Sequence, residues 1–429
     1  MDEKRIQIIG GGLSGSEAAY YLLKKGYEVF LYERKPLVKD GAHESEYLGE
    51  LVCSNSLKSK EITNACGLLK NEISRFGSIM MEAASFASVP GGNALTVDRD
   101  LFAKKIHETL LSFPQFHLLR EEVLSFSNVP TILATGPLTS GPLLEKLSQI
   151  VGTKNFSFFD ASAPIVAKSS LDFSKVYYKS RFSQDDAAYL NCPFSKEEYI
   201  RFVEELIHAE RALVHEFDTH YFEGCLPIEI MAERGIETLR HGMLKPFGLG
   251  TDEHPKPYAV AQLRQDTKLG DYYNLVGFQT NLTYKEQKRV FSLIPGLENA
   301  TFIRYGLMHR NSYIDAPIAL NEDFSLKNKP NVFVAGQLSG VEGYVESAMM
   351  GIFAAINIDR KMSGKSFIPV PKNTMSGALI DYILHANPSF FAPMNANWAL
   401  FPNSTKANRE SVVIEAQNAL SSYLDAIHE

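Results

Sequence analysis

The chain is poor in cysteine and has almost no tryptophan. Four cysteines, Cys53, Cys66, Cys192 and Cys225, are spread over 429 residues, and Trp398 is the only tryptophan. None of the cysteine spacings is that of a metal site, and so few thiols do not build a disulfide framework. Free thiols in a reducing cytoplasm fit this usage, and no metal is expected. Long hydrophobic runs are also missing. The longest nearly apolar stretch, about 347–358, is far too short to span a bilayer. Asp2, Glu3, Lys4 and Arg5 precede the first apolar run, which is not the pattern of a secretory signal. Basic charge is not in excess, since the net charge is −7. That argues mildly against a nucleic-acid partner, although a local basic patch can sit on an acidic protein. There is no internal repeat or low-complexity tract, and nothing calls for a protein partner.

What the chain does have is glycine in telling places. Arg5 to Ile9 reads as a short buried strand, followed by a G-x-G-x-x-G on Gly10, Gly12 and Gly15, with Gly11 between the first two. Ser14 to Lys25 reads as a helix, and Tyr27 to Tyr32 as a second strand closed by Glu33. Gly10 allows the tight turn, Gly12 lets the backbone approach a pyrophosphate, and Gly15 lets the helix pack on the strand. The helix start offers unpaired N–H groups and a positive dipole end to phosphates. Glu33 stands where an acid can accept hydrogen bonds from a ribose.

A second part of the pattern lies far along the chain. Asn331 to Gly336 is a strand running into a glycine turn, with Gly340 and Gly343 before a helix from Tyr344 to Ile358. Between the two parts, Thr131 to Gly136 is a strand ending in Ala-Thr-Gly. Flavoproteins of the glutathione-reductase type show this trio, and the chain resembles them. The fold class expected is therefore α/β, an FAD-binding Rossmann-like domain with an inserted α+β substrate domain. The expected boundaries are 1–160 and 300–429 for the discontinuous FAD domain and 161–299 for the insert. Gly10, Gly11, Gly12, Gly15, Glu33, Gly136, Gly336 and Gly343 are the expected FAD contacts. A second G-x-G-x-x-G is missing, which argues against a dedicated NAD(P)H domain. Within the first half, 37–60 reads as polar loop, 61–86 as helix and 98–111 as a further helix.

Six further blocks resemble one family, the folate- and FAD-dependent tRNA (uracil-5-)-methyltransferases. They are Leu51 to Ser59, Asn64 to Lys70, Pro90 to Arg99, Glu223 to Glu229, Val276 to Leu282, and Tyr305 to Asn311. The resemblance runs from Arg5 to about Gly351. It implies methylation of a uridine at carbon 5 in RNA, with 5,10-methylenetetrahydrofolate as carbon donor and reduced FAD as reductant. NAD(P)H would reduce the flavin from outside. The T-loop uridine of tRNA is the expected target. The same chemistry on ribosomal RNA is the alternative, because these blocks do not readily separate the two.

Carbon 5 of uracil is a poor nucleophile, and a thiolate adding to carbon 6 activates it. This requires an accessible cysteine with a lowered pKa. Cys225 sits between Gly224 and Leu226-Pro227, in an expected loop, and is the candidate for attack on uracil. Cys53, in a polar run, is placed near the flavin as the base that removes the carbon-5 proton. The two roles are open to exchange. Cys66 and Cys192 read as packing. His309 and Arg310 suit a flat pterin and an acidic folate tail, and Tyr344 is a third candidate folate contact. Arg234, Arg240 and Lys245 are the expected RNA contacts, and Lys285, Lys288 and Arg289 form a second cationic group. Two other readings remain open at this stage. One is a small-molecule flavin oxidoreductase with Cys53 and Cys225 as a redox pair, and the other is a flavin-bound RNA scaffold without activity.

Overall fold

The computed structural model describes residues 4–38, 43–152, 156–181, 188–212, 226–253, 255–401 and 403–428, with backbone alone at 156–161 and 308–310. Apolar β-branched runs build a six-stranded sheet. Its order is Ser325–Leu326, Lys329–Val334, Thr131–Leu133, Arg5–Ile9, Glu28–Tyr32 and Phe116–Leu119. All neighbours pair in parallel except the first two. Ile8 faces Ile132, and Ile132 faces Phe333, so both distant parts of the glycine pattern share one sheet. Parallel strands must be covered on both faces, and these are: Ile8, Leu31 and Ile132 are fully buried on one face, and Leu133, Val332 and Val334 on the other.

One cover is built from the fingerprint helix, Leu13–Lys24, and the late helix, Tyr344–Met362. Their backbones touch through small residues. A Cβ added at Gly351 would meet the Ser14 carbonyl oxygen at 2.1 Å, and one at Gly15 would meet the Gly10 oxygen at 1.9 Å. Close packing here sets the start of the fingerprint helix directly against the late helix at Gly351.

The second sheet is antiparallel, in the order Tyr177–Tyr178, Tyr189–Phe194, Ala259–Gln265, Tyr272–Leu275, Ile165–Ala167 and Phe302–Arg304. Helices Lys196–Ile207, Ile228–Glu233 and Tyr284–Phe291 pack with it around Phe194, Tyr199, Phe202, Phe278 and Phe291. This core is separate from the one under the parallel sheet. The chain passes between the two regions through the antiparallel pair Phe156–Ala161 and Met308–Tyr313.

Two expectations for the first half need correction. The stretch 37–60 contains a strand, Ser56–Ser59, which pairs with Ala94–Val97. The stretch 61–86 is two helices, Ala65–Ser74 and Ile79–Phe86. Gly77 takes φ +70° between them, and a left-handed residue ends a helix. Asn64 and Ser78 cap the two starts, accepting from the N–H of Cys66 and of Met81.

Candidate functional site

A cavity opens at the end of the parallel sheet where the fingerprint turn sits. Gly10, Gly11, Gly12, Ser14, Glu33, Gly136, Gly336 and Tyr344 all line it. Gly15 and Gly343 do not. Gly15 serves the helix–strand contact, and Gly343, at φ +124°, would put a Cβ 2.2 Å from Glu346 Oε2. Within the fingerprint the glycines differ in kind. Gly10, at φ +102°, would press a Cβ to 2.4 Å from the Ala134 oxygen, whereas a Cβ on Gly12 meets nothing within 4 Å. The protein's own packing does not require glycine at position 12.

The cavity fits a dinucleotide on its own features. Gly12 leaves the fingerprint helix without a side-chain cap, so the first N–H groups face the cavity unpaired. The Ser14 hydroxyl is buried with no hydrogen-bond partner. Glu33 is buried, and its two oxygens each accept one backbone N–H, from Gly11 and Lys35, both at 2.9 Å. Each oxygen keeps a further lone pair, so the carboxylate is oriented but not used up.

The loop around Cys53 forms a neighbouring wall, held from three elements. Tyr344, at the start of the late helix, presents its hydroxyl to the Cys53 N–H at 2.8 Å, the Ser54 N–H at 3.0 Å and Cys53 Sγ at 3.0 Å. Arg304 donates to the Val52 oxygen at 3.0 Å. The buried Arg264 donates to Asn55 Oδ1 and Ser54 Oγ, both at 3.0 Å. Asn55 in turn donates to the Gln265 oxygen at 2.8 Å and the Val97 oxygen at 3.1 Å. The inserted sheet is thus docked onto the cysteine loop, and the buried Arg99–Asp266 pair at 2.9 Å fastens the same joint. Burial, with Cys53 next, pushes the Tyr344 hydroxyl well above tyrosine's ordinary value.

The other thiols divide clearly. Cys66 and Cys192 are buried, and burial pushes both thiols up. They have the character of packing residues. Cys53 is half-buried beside the cavity. Cys225 lies outside the described residues, as do the side chains of His309 and Arg310. Their strand pairs His309 with Asp160 and Arg310 with Phe159. Just after Cys225, the Ile228 N–H donates to the Gln279 oxygen at 2.7 Å. The buried Glu229 accepts from Thr280 Oγ1 at 2.9 Å and the Asn281 N–H at 2.7 Å. Two of the distant sequence blocks therefore meet.

The cationic candidates are unequal. Arg240 donates to the Tyr258 oxygen, pairs with Glu237 at 2.9 Å and lies 4.3 Å over the Tyr258 ring. Arg234 and Lys245 are exposed, and Lys245 lies over the exposed ring of Phe247. In the second group Arg289 is tied to Glu286 and Glu205, while Lys285 and Lys288 are exposed. Beside them is a feature that sequence reasoning missed. Tyr284, 54% exposed, stacks on Tyr305, which stacks on Phe302, at 5.0 and 5.2 Å between ring centres. Arg264 and Arg304 were missed as well. Their strands read as ordinary core, and only tertiary contact brings them to Cys53.

Comparison with known proteins agrees with this arrangement. A family model described as glucose inhibited division protein A matches residues 5–366. The methylenetetrahydrofolate–tRNA-(uracil-5-)-methyltransferase TrmFO of Lactobacillus gasseri is 50% identical over 408 residues, covering 93% of this chain and 92% of the relative. The protein of that name from Desulforudis audaxviator is 50% identical over 425 residues, covering 96% of each. That of Streptococcus agalactiae is 45% identical over 443 residues, covering 99% of this chain and 100% of the relative. Among solved structures, Aquifex aeolicus GidA in its form II crystal shares the fold, with a TM-score of 0.73 at 17% identity. That match covers 100% of this chain and 73% of GidA. The FAD-binding α/β fold expected from the glycine pattern is the fold observed. The chain belongs to the TrmFO family of methylenetetrahydrofolate–tRNA-(uracil-5-)-methyltransferases.

Proposed function

We propose that this chain methylates a uridine of tRNA at carbon 5, in the T-loop, with 5,10-methylenetetrahydrofolate as carbon donor and reduced FAD as reductant. The observation that carries this reading is near-full-length identity of 50% to relatives named for that activity. The structure supports it with a half-buried thiol beside a dinucleotide cavity, in contact with the hydroxyl of Tyr344, which lines that cavity. The N–H groups at the start of the fingerprint helix and the Ser14 hydroxyl would hold the pyrophosphate, and Glu33 a ribose. FAD bound there supplies the reducing equivalents that turn a transferred methylene into methyl. NAD(P)H is the external reductant, and His309, Arg310 and the Tyr344 ring are assigned to the folate.

The cysteines divide the work on the base. The Cys225 thiolate adds to carbon 6, and the electron pair displaced onto carbon 5 attacks the incoming one-carbon unit. Cys53 then takes the carbon-5 proton, whose electron pair forms a double bond to the methylene as its bond to the carrier nitrogen breaks. A hydride, which reduced FAD would supply, turns that methylene into methyl, the carbon–sulfur bond breaks, and the ring double bond returns. RNA is held by exposed cations, Arg234 and Lys245 on one face and Lys285 and Lys288 beside the exposed Tyr284 ring on another. The place of action is the cytoplasm. No helix among the described residues is long and apolar enough to cross a membrane.

The test is transfer of label. Reduced, FAD-loaded protein is incubated with carbon-labelled methylenetetrahydrofolate and an unmodified tRNA transcript or a ribosomal RNA fragment. Labelled 5-methyluridine in the tRNA T-loop is expected. Label in ribosomal RNA alone would overturn the substrate, and no label in either would overturn the activity.

A further inference from the structure

We propose that the Tyr344 hydroxyl is the hydrogen-bond donor that holds Cys53 Sγ as an acceptor, making Tyr344 a positioning residue that keeps this thiol poised as a base. The inference rests on the proposed role of Cys53.

It follows from counting hydrogens. A tyrosine hydroxyl has one proton and two lone pairs. Three neighbours surround this one: the Cys53 N–H at 2.8 Å, the Ser54 N–H at 3.0 Å and Cys53 Sγ at 3.0 Å. A backbone N–H only donates, so the two N–H groups fill both lone pairs. The single hydroxyl proton is left for the sulfur. A sulfur that receives such a bond is stabilised most when it is a thiolate, because hydrogen bonding to the charged form favours that form. Burial keeps the Tyr344 hydroxyl protonated, so it remains a donor while the thiol titrates.

The surroundings act in the same direction. Tyr344 is anchored at the start of a 19-residue helix, which fixes where its hydroxyl can reach. The charged groups around the loop come from every element packed on it. Arg264 bonds Ser54 and Asn55, Arg304 bonds Val52 and pairs with Glu44 at 3.1 Å, Arg99 pairs with Asp266, and Lys58 pairs with Glu346 at 3.5 Å. Of these cations, Arg264 bonds Asn55, Ser54 and the Tyr189 hydroxyl, and among the described residues it has no carboxylate hydrogen-bond partner, with Asp266 acting on it through space. The same hydroxyl that tunes the sulfur also fixes the two N–H groups flanking it, so tuning and placement have one cause.

The experiment reads the thiol, not turnover. FAD-loaded protein is alkylated with iodoacetamide across pH, and modification of Cys53 is followed by peptide mass mapping. In Tyr344→Phe the ring and helix start remain and only the hydroxyl is lost. The midpoint of the Cys53 profile is expected to rise by about one unit, with bound FAD unchanged and Cys66 and Cys192 still unreactive. An unchanged or lowered midpoint would overturn the proposal. A second variant guards against disturbed folding: 3-fluorotyrosine placed at 344 keeps the hydroxyl, is nearly the same size and is a stronger donor. It should lower the midpoint, and a rise would again overturn the proposal. A fully active Cys53→Ala would remove Cys53 from the reaction yet leave the alkylation profiles as they are. An inactive Cys53→Ala with a flat response to both Tyr344 variants would sink only the role given to Tyr344.

Discussion

The parallel-sheet region and the antiparallel insert build their shares of the site from different material. Around the fingerprint the groups offered are mostly backbone, N–H groups at a helix start and a turn at Gly10, with Ser14 and Glu33 from the same stretch of chain adding side chains. Around Cys53 they are side chains delivered from far away, Arg264 and Arg304 from the antiparallel sheet and Tyr344 from the late helix. A backbone site leaves its mark as local spacing. A side-chain site assembled across more than 200 positions, as between Asn55 and Arg264, leaves no local mark.

The sharpest way to break this comparison is inside the fingerprint itself. Gly12→Val should abolish FAD binding while the apoprotein keeps its fold. The position has ordinary extended geometry, φ −72° and ψ −168°, and free space around it. Gly15→Val should lose the fold, since its Cβ would lie 1.9 Å from the Gly10 oxygen. Flavin absorbance and far-ultraviolet circular dichroism of the two variants decide it. Flavin retained in Gly12→Val would show that the cavity has been assigned to the wrong ligand.

A smaller effect separates cations that face solvent from cations that hold the fold. Lys285→Gln with Lys288→Gln should weaken RNA binding and reduce its salt slope by up to about one unit per lost phosphate contact. Arg240→Gln should instead lower the melting temperature with little change in slope, because its guanidinium is committed to Tyr258 and Glu237. Filter binding at several salt concentrations checks both. A wild-type slope in the lysine pair would remove that face from the RNA contact.

The smallest effect belongs to the buried carboxyls of the first region. Burial pushes Glu72 up to about 7, against bonds from Ser376 and Met375 that favour the charged form, and Glu17 likewise to about 7. Their folded values lie above the unfolded one, so the folded state holds more protons between about pH 4.5 and 7. Stability from these groups is complete below that window and falls as pH rises through it. Glu72→Gln should make the melting temperature fall less steeply over this range, with Glu17 keeping its own share. An unchanged slope in Glu72→Gln would contradict the shift.

The same contrast explains what was readable in the chain. The strand–turn–helix of residues 5–33 and the late glycine turn were legible because each is local. Gly351 was not, since its meaning is a contact with Ser14 across the sequence. Ser56–Ser59 carries no strand signal of its own, because its partner, Ala94–Val97, supplies the reason for it to be a strand. Gly77 split a helix that the apolar spacing alone continued. Cys53 was visible as a candidate in its polar run, but its tyrosine and arginine neighbours were not.

One measurement tests the central claim, that two regions join to act on one uridine through a thiolate. A tRNA transcript carrying 5-fluorouridine is incubated with reduced, FAD-loaded protein and methylenetetrahydrofolate, and any covalent adduct is mapped by peptide mass analysis. Fluorine blocks removal at carbon 5, so the thiolate stays attached to carbon 6. The account predicts an adduct on Cys225 that vanishes in Cys225→Ala, with flavin content unchanged, and persists in Cys53→Ala. An adduct on Cys53 would exchange the two roles, and no adduct in the wild-type protein would contradict thiolate catalysis.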